Sequence, residues 1–183
     1  MKRILVTGAN KGIGQAIVTK LLDDFPDTYL LLGSRDVARG QNAIQQINDK
    51  LGGDIADRVE LVQIDVTSDE SVMNAVETIK AKHGESAPLY GLVNNAGGTS
   101  DSPRGYVDLN TYSVRRVCEA FSLPIQTNKR ILEIYFHIFK LGSFSGRIVQ
   151  ISSGAAPSFV AKCSQMNIYL FQYIMASDVT GCR

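Results

Sequence analysis

The sequence predicts a doubly wound α/β domain, in which helices cover both faces of a parallel sheet. Along the 183 residues, short apolar segments typical of buried strands alternate with amphipathic segments of helical periodicity. Glycine and polar residues follow the predicted strands, and sheets of this kind bind ligands beyond the carboxyl ends of their strands. The apolar fraction is 44%, which suits a buried core, and the length fits one domain.

Five strand segments, four of them followed by a helical pattern, support this prediction. The predicted strands are residues 4–6, 29–33, 59–64, 89–93 and 147–151. The first helix is predicted to begin at Gln15, and the third is predicted to begin at a capping box formed by Thr67 and Glu70. The buried stripe of the third helix is predicted to contain Val72, Ala75, Val76 and Ile79. Right-handed crossovers between such units give a doubly wound strand order.

A glycine-rich turn between the first strand and the first helix is the most informative stretch. It reads Thr7-Gly8-Ala9-Asn10-Lys11-Gly12-Ile13-Gly14. Glycine permits positive φ and, because it lacks a Cβ, lets the backbone approach a pyrophosphate closely. The helix N-terminus behind the turn offers unpaired N–H groups and a partial positive charge. Strand, glycine turn and helix in this order predict a dinucleotide site, whereas glycines alone would indicate a loop.

The composition argues against other classes of function. The formal charge is +1, and no basic patch interleaved with aromatic residues indicates nucleic-acid binding. No segment has the length of a membrane-spanning helix, and the apolar stretch near the N-terminus is too short for a signal peptide. Cys118, Cys163 and Cys182 lack the spacing of metal ligands. We therefore expect free thiols, no metal site, no membrane or nucleic-acid partner, and a cytoplasmic location.

Further motifs follow the other strands. Beyond the glycine turn, they are Ser34-Arg35-Asp36, Asp65-Val66, Asn94-Asn95-Ala96-Gly97, Asn110 and Gly146-Arg147-Ile148-Val149-Gln150-Ile151-Ser152-Ser153. With these motifs, the chain resembles the short-chain dehydrogenase/reductase family, which has a Rossmann-type fold. Their order and spacing cover most of residues 1–125 and 145–160. Within the family, residues 35–40 resemble the monomeric NADPH-dependent carbonyl reductases. The resemblance implies reduction of small-molecule aldehydes or ketones to alcohols.

The charge at the end of the second strand predicts which cofactor is bound. An acidic side chain there accepts from a ribose 2′-hydroxyl and repels a 2′-phosphate, whereas this chain has Ser34 and then Arg35. The planar fork of Arg35 suits a phosphate, and Lys11 in the glycine turn adds a second positive charge. Either cation alone would be interpreted as a solvated surface charge. Together they predict NADPH.

The resemblance implies the remaining cofactor contacts. Asp65 and Val66 would flank the adenine, although Asp65 could instead be a turn or cap residue. The run Asn95-Ala96-Gly97 would lie against the cofactor ribose, although such a run could also form only a turn. The complete predicted cofactor-binding set is Gly8, Asn10, Lys11, Gly12, Ile13, Gly14, Arg35, Asp65, Val66, Asn95, Ala96 and Gly97.

Catalysis requires a proton donor near the carbonyl oxygen, because the nicotinamide supplies only the hydride. The resemblance implies a carbonyl-polarising serine after the fifth strand, matched by Ser153, and a water-holding asparagine, matched by Asn110 after an unusually short loop. A turn-forming hydroxyl and a helix-start asparagine are the alternatives for these two residues. The family's catalytic tyrosine, with a lysine four residues later, is missing. Lys162 is the only lysine after Ser153, and Ser158 stands four residues before it.

Two segments depart from the resemblance. Residues 126–145 intervene where a short link to the fifth strand is expected, and residues 166–183 no longer match. We therefore expect one dinucleotide-binding domain over residues 1–183, with an atypical insertion and an atypical tail, incomplete on the C-terminal side. Related carbonyl reductases carry a long insertion between serine and tyrosine, so truncation would explain the missing pair. Two functions stay open, namely an NADPH-dependent carbonyl reductase and a catalytically inactive nucleotide-binding module.

Overall fold

A five-stranded parallel sheet forms the centre of the protein. The computed structural model describes residues 1–53, 55–84 and 89–122, and the backbone of residues 147–150. The strands are β1 (Lys2–Val6), β2 (Thr28–Ser34), β3 (Val59–Gln63), β4 (Gly91–Asn94) and β5 (Arg147–Gln150). Their order is β3-β2-β1-β4-β5, and every pairing is parallel. Because the order changes direction at β1, the crevice between β1 and β4 is where such a sheet binds ligands.

Helices cover the two faces of this sheet. The helical segments are α1 (Gly12–Asp24), α2 (Val37–Leu51), α3 (Asp69–His83), α4 (Pro103–Val107), a π-helical turn (Asp108–Tyr112) and α5 (Ser113–Ser122). α1 and α2 pack on one face, and α3 and α5 pack on the other. The doubly wound Rossmann-type fold predicted from the sequence is confirmed for the described residues, which all belong to one compact unit.

The core forms two clusters, one on each face of the sheet. Successive residues of β1 alternate between them, since Ile4 and Val6 pack with α1 and α2 whereas Leu5 packs with α3 and α5. β2 is buried on both faces, as expected for a strand inside a parallel sheet, and Leu30 and Leu31 are fully buried. Each such side chain contributes roughly 1.5–3 kcal/mol by burial.

The start of α3 differs from the sequence prediction. Ser68 is the N-cap, and its side chain accepts a hydrogen bond from the N–H of Ser71 at 3.2 Å. The predicted capping box of Thr67 and Glu70 is therefore wrong. The Thr67 hydroxyl instead donates to the Asp65 carboxylate at 2.7 Å, which is a charge-assisted and stronger bond than a neutral cap.

Several predictions concern residues outside those that the structure describes. These are Ser153, the insertion over 126–145 and the tail over 166–183. In the part of the chain that is described, no helix is both long and apolar enough to span a bilayer. The same residues contain no cluster of three or more His, Cys, Asp or Glu side chains that could hold a metal ion.

Candidate functional site

The glycine turn joins β1 to α1 and leaves the start of this helix open. Gly8 and Gly12 have φ values of +64° and +58°, a left-handed conformation that residues with a Cβ rarely adopt. α1 begins at Gly12 rather than at the predicted Gln15, and its N-cap, Lys11, makes no side-chain capping hydrogen bond. The first N–H groups of α1 can therefore bind an anion, which the helix dipole also favours.

The glycine turn is in close contact with the segment that follows β4. A Cβ on Gly8 would lie 2.8 Å from Ala96 Cα, and one on Gly14 would lie 2.7 Å from the carbonyl oxygen of Gly8. Asn95 Nδ2 donates to the carbonyl oxygens of Thr7 at 2.9 Å and Gly8 at 3.1 Å. Gly8, Gly14, Asn95 and Ala96 therefore meet in the crevice between β1 and β4. A turn after β4 would not by itself require these contacts.

Thr7 holds the two sides of this crevice together. The residue is 1% exposed, and its Oγ1 accepts hydrogen bonds from the N–H groups of Asn95 and Ala96, both at 3.1 Å. The same hydroxyl lies 3.4 Å from the Val93 carbonyl oxygen, to which it donates. Sequence reasoning placed Thr7 in the glycine motif but gave it no role, because its partners lie far away along the chain.

The ends of β2 and β3 form a second and more exposed part of the candidate site. The Arg35 side chain is 76% exposed, and its Nη1 lies 3.9 Å from Asp65 Oδ2. Ser34 is buried, and its hydroxyl donates to the Asp36 carbonyl oxygen at 2.7 Å. Asp36 in turn caps α2 by accepting from the N–H of Arg39 at 3.0 Å. Arg35 is thus an exposed cation directly after β2.

Asp65 and Val66 form a turn that is held from two helices. Asp65 Oδ1 accepts hydrogen bonds from the N–H and the hydroxyl of Thr67. Asp65 is therefore a turn residue, which was the alternative to a contact with the adenine. The Asp65 N–H donates to Ser71 Oγ on α3 at 2.9 Å. The Val66 side chain is buried in the core, and its carbonyl oxygen accepts from Arg116 Nη1 on α5 at 2.9 Å.

Asn110 lies in the middle of the π-helical turn. Its Oδ1 accepts from the N–H of Gly98 at 3.1 Å, and its Nδ2 donates to the carbonyl oxygens of Gly98 and Tyr106 at 2.9 and 2.8 Å. The helix-start alternative is wrong, because the helical stretch begins after its N-cap, Ser102. A Cβ on Gly97 would lie 2.9 Å from Asn110 Oδ1. Asn110 therefore braces the loop after β4, and π-helical turns are frequent at functional sites.

Three further predicted residues lie on the outer side of the glycine turn. Asn10 is partly buried, Lys11 is exposed, and Ile13 is 64% exposed. An exposed isoleucine beside open N–H groups offers apolar surface to a ligand that is partly aromatic. The predicted catalytic Ser153 is not among the described residues, so its position relative to this turn stays a prediction.

A buried thiol lies directly beneath the segment that follows β4. Asn94 Nδ2 donates to Cys118 Sγ at 3.3 Å, and both residues are buried. Burial raises the pKa of the Cys118 thiol to about 11. The hydrogen bond from Asn94 acts in the opposite direction, and the charge of Glu119 raises the pKa by a smaller amount. The thiol therefore stays protonated near neutral pH and packs as a small apolar group.

A second polar cluster lies between β2, β3 and the end of α3. Glu60 accepts from the Tyr29 hydroxyl at 2.9 Å and also pairs with Lys82 and with His83 Nε2. Burial alone would raise the pKa of the Glu60 carboxyl, but the hydrogen bonds from Lys82, His83 and Tyr29 outweigh it and hold this pKa below its usual range. The cluster fastens the end of α3 to the outer strands.

An open groove of about 470 Å³ separates α3 from α5. Val72, Met73 and Tyr112 contribute apolar surface to it. None of the predicted site residues that the structure describes lines this groove. We therefore place the candidate site at the carboxyl ends of the strands, where the charged and glycine residues converge, rather than in the groove.

The strand order, the open N-terminus of α1 and the glycine contacts define a dinucleotide-binding α/β protein. The sequence profile described as short chain dehydrogenase matches residues 2–166. The chain therefore belongs to the short-chain dehydrogenase/reductase family, whose members are oxidoreductases that bind a nicotinamide cofactor.

Individual relatives show how far the similarity extends. A short-chain dehydrogenase/reductase of Aspergillus fumigatus is 31% identical over 153 residues, which cover 84% of this chain and 55% of the relative. Human carbonyl reductase [NADPH] 3 is 31% identical over 139 residues, which cover 71% of this chain and 47% of the relative. The structure of menthone neomenthol reductase from Mentha piperita superposes with a TM-score of 0.65 at 27% identity, covering 85% and 61%. The chain spans about half the length of the curated relatives it matches.

Proposed function

We propose that the chain supplies the cofactor-binding part of an NADPH-dependent reductase that converts aldehydes or ketones to alcohols. The observation that carries this proposal is the exposed guanidinium of Arg35 at the end of β2, next to the open N-terminus of α1 in the fold. A cation at this position favours a 2′-phosphate. The human relative, whose name states that it is a carbonyl reductase using NADPH, supports the same choice.

The residues present fit a phosphorylated nicotinamide dinucleotide. The first N–H groups of α1 suit the pyrophosphate, and the close packing of Gly8 and Gly14 against neighbouring protein atoms fixes the turn that presents these groups. Arg35 and Lys11 would hold the 2′-phosphate, and the Asp65 carboxylate would accept a hydrogen bond from the amino group of the adenine. When bound, the cofactor supplies the hydride, and these residues bind and orient it.

The second candidate is a nucleotide-binding module without turnover. The observation that favours it is that no tyrosine in the printed sequence is followed four residues later by a lysine. Ser153 would polarise a substrate carbonyl, but a serine alone provides no replacement for the missing proton donor. Loss of a general acid lowers the rate by about 10²- to 10⁴-fold. Cofactor binding does not depend on that group, so the two candidates share the same cofactor site.

The choice of cofactor is tested with Arg35→Asp. This variant should weaken the binding of NADPH by about 10- to 100-fold, because hydrogen bonds to charged groups are worth about 1.5–3 kcal/mol. The affinity for NADH should change much less. Lys50→Asp, at the far end of α2, makes the same change in net charge and should alter neither affinity beyond about twofold. Kd values for both cofactors can be measured by fluorescence titration. An equal loss for NADPH and NADH in Arg35→Asp would refute the assignment of the 2′-phosphate.

Turnover separates the two candidates. NADPH oxidation is measured with a broad carbonyl substrate, beside the cofactor-induced shift in melting temperature, for the chain and for Ser153→Ala. Activity well above that of Ser153→Ala supports the reductase, whereas a thermal shift without activity supports the inactive module. If neither is observed, the proposed cofactor function itself is wrong.

A further inference from the structure

Arg116 on α5 joins three segments around the end of β3. Its Nε donates to Asp69 in the first turn of α3, and its Nη1 donates to the Val66 carbonyl oxygen at 2.9 Å. Its Nη2 lies 3.5 Å from an Asp108 carboxylate oxygen in the π-helical turn. The Arg116 side chain is 19% exposed, whereas its two carboxylate partners are more open to solvent, at 85% for Asp69 and 37% for Asp108. The three nitrogens of one planar group thus hold three acceptors from different parts of the chain.

The hydrogen bond from Arg116 to the Val66 carbonyl oxygen connects α5 to the turn formed by Asp65 and Val66. Val66 and Asp65 form the turn proposed to lie against the adenine. Thr67 donates to the Asp65 carboxylate within this turn, and Ser71 accepts from the Asp65 N–H. Ser71 fixes the turn from α3, and Arg116 fixes it from α5. A planar guanidinium between two carboxylates can turn in few directions, so the position of the Val66 carbonyl is closely determined.

We propose that Arg116 is a positioning residue for recognition of the adenine. It acts through Val66, by holding the backbone of the 65–66 turn in the orientation that lets Asp65 and Val66 contact the base. This inference rests on the proposed cofactor function. It goes beyond that function because it makes recognition of the base depend on a residue of α5 that does not touch the cofactor.

The test compares NADPH with its hypoxanthine analogue, in which the amino group of the adenine is replaced by an oxygen. Wild-type protein should bind NADPH several-fold more tightly, because Asp65 can accept from the amino group. Arg116→Gln should weaken the binding of NADPH by about 3- to 10-fold, which is less than the full loss of a hydrogen bond to the Asp65 carboxylate, because the turn shifts while Asp65 stays present. It should weaken the binding of the analogue by less than about twofold. The ratio of the two Kd values should therefore fall towards one.

The control is Arg115→Gln on the same helix. Arg115 pairs with Glu119 at 2.6 Å within α5, so this variant removes an equal charge and a salt bridge from the same helix. Both ligands should then bind within about twofold of wild type. A purely structural or electrostatic role of Arg116 would weaken both ligands equally and leave the ratio unchanged, and that result would overturn the proposal.

A second variant keeps the test decisive if Arg116→Gln does not fold. Asp69 is 85% exposed, and Asp69→Asn removes one of the two carboxylates that orient Arg116. It should lower the preference for adenine in the same direction but by less. An unchanged ratio in Asp69→Asn, or a wild-type protein that binds NADPH without preferring adenine, would overturn the role of Arg116. Wild-type protein that binds neither ligand would instead refute the proposed function.

Discussion

The crevice between β1 and β4 is held by packing and buried hydrogen bonds, whereas the ends of β2 and β3 carry an exposed pair of charges. In the crevice, Gly8 and Ala96 approach so closely that a Cβ would not fit, and Thr7 is 1% exposed. At the outer end, Arg35 is 76% exposed and lies 3.9 Å from Asp65. An exposed pair at this distance contributes about 0–1 kcal/mol to stability.

Under the proposed function, this difference would separate the part of the site that any dinucleotide needs from the part that selects between NADPH and NADH. The crevice offers backbone groups in a fixed arrangement, and changing any of them disturbs the fold as well as the ligand. The outer end can exchange one charged side chain for another with little effect on the fold. We therefore expect substitutions in the crevice to reduce stability and the binding of both cofactors, and substitutions at Arg35 to change mainly the ratio between the two cofactors.

The largest effect is expected for Gly8→Ala. The left-handed φ costs about 1–2 kcal/mol for a residue with a Cβ, and the clash with Ala96 adds about 1–3 kcal/mol. Gly52→Ala is the matched control, since Gly52 also has a φ of +64° but has no atom within 4 Å of a Cβ. Free energies of unfolding from urea titrations should show the larger loss for Gly8→Ala. Equal losses in the two variants would mean that the crevice is not tightly packed.

An intermediate effect is expected for Thr7→Val. Valine keeps the shape but leaves the N–H groups of Asn95 and Ala96 without their acceptor, so the free energy of unfolding should fall by about 1–3 kcal/mol. NADPH and NADH should be weakened alike. Thr78→Val on the exposed side of α3 is the control and should stay within about 0.5 kcal/mol of wild type. Selective loss of NADPH alone would contradict the proposed division of the site.

The smallest effect is expected for Glu60→Gln, and it should depend on pH. Because the pKa of Glu60 is lowered in the folded protein, its carboxylate stabilises the fold above the usual pKa range. That stabilisation is lost as the pH falls through the folded pKa. The variant should therefore be less stable than wild type by roughly 1 kcal/mol at pH 7, and the difference should shrink towards pH 3.

Stability that comes from packing and stability that comes from charge should respond differently to pH. The cost of Thr7→Val should not change between pH 7 and pH 3, because no titrating group takes part in its hydrogen bonds. Glu77→Gln, on the exposed face of α3 and paired only with Lys80 among the ion pairs of the described residues, should show little difference at either pH. A pH-independent cost for Glu60→Gln would show that its hydrogen bonds, rather than its charge, stabilise the outer strands.

The sequence was sufficient for the parts of the molecule that depend on local pattern. The succession of strands and helices along the chain, the helix stripes and the glycine turn follow from periodicity and from residues close together in the chain. The start of α3 was predicted incorrectly, because Thr67 and Ser68 are adjacent hydroxyl residues and the contact of Thr67 with Asp65 decides between them. Patterns of hydroxyls alone do not reveal that competition.

The contacts that organise the candidate site were not predictable in this way. Thr7 accepts from a residue 88 positions away, and Arg116 donates to one 50 positions away. Such partners become neighbours only through the tertiary fold, and one sequence contains no local pattern that identifies them. Asn110 was predicted in part. The family resemblance identifies the residue, but only the structure shows its hydrogen bonds to Gly98 and its place in the π-helical turn.

The separation between Thr7 and Asn95 also affects how the protein is made. β1 is synthesised before both of its neighbours in the sheet, β2 and β4, and the contact with the β4 side requires a residue 88 positions later. At about 5–20 residues per second, a ribosome needs roughly 4–18 s to supply that partner. During this interval the nascent chain exposes one unpaired edge of its central strand, so association with other chains is most probable before β4 has been synthesised.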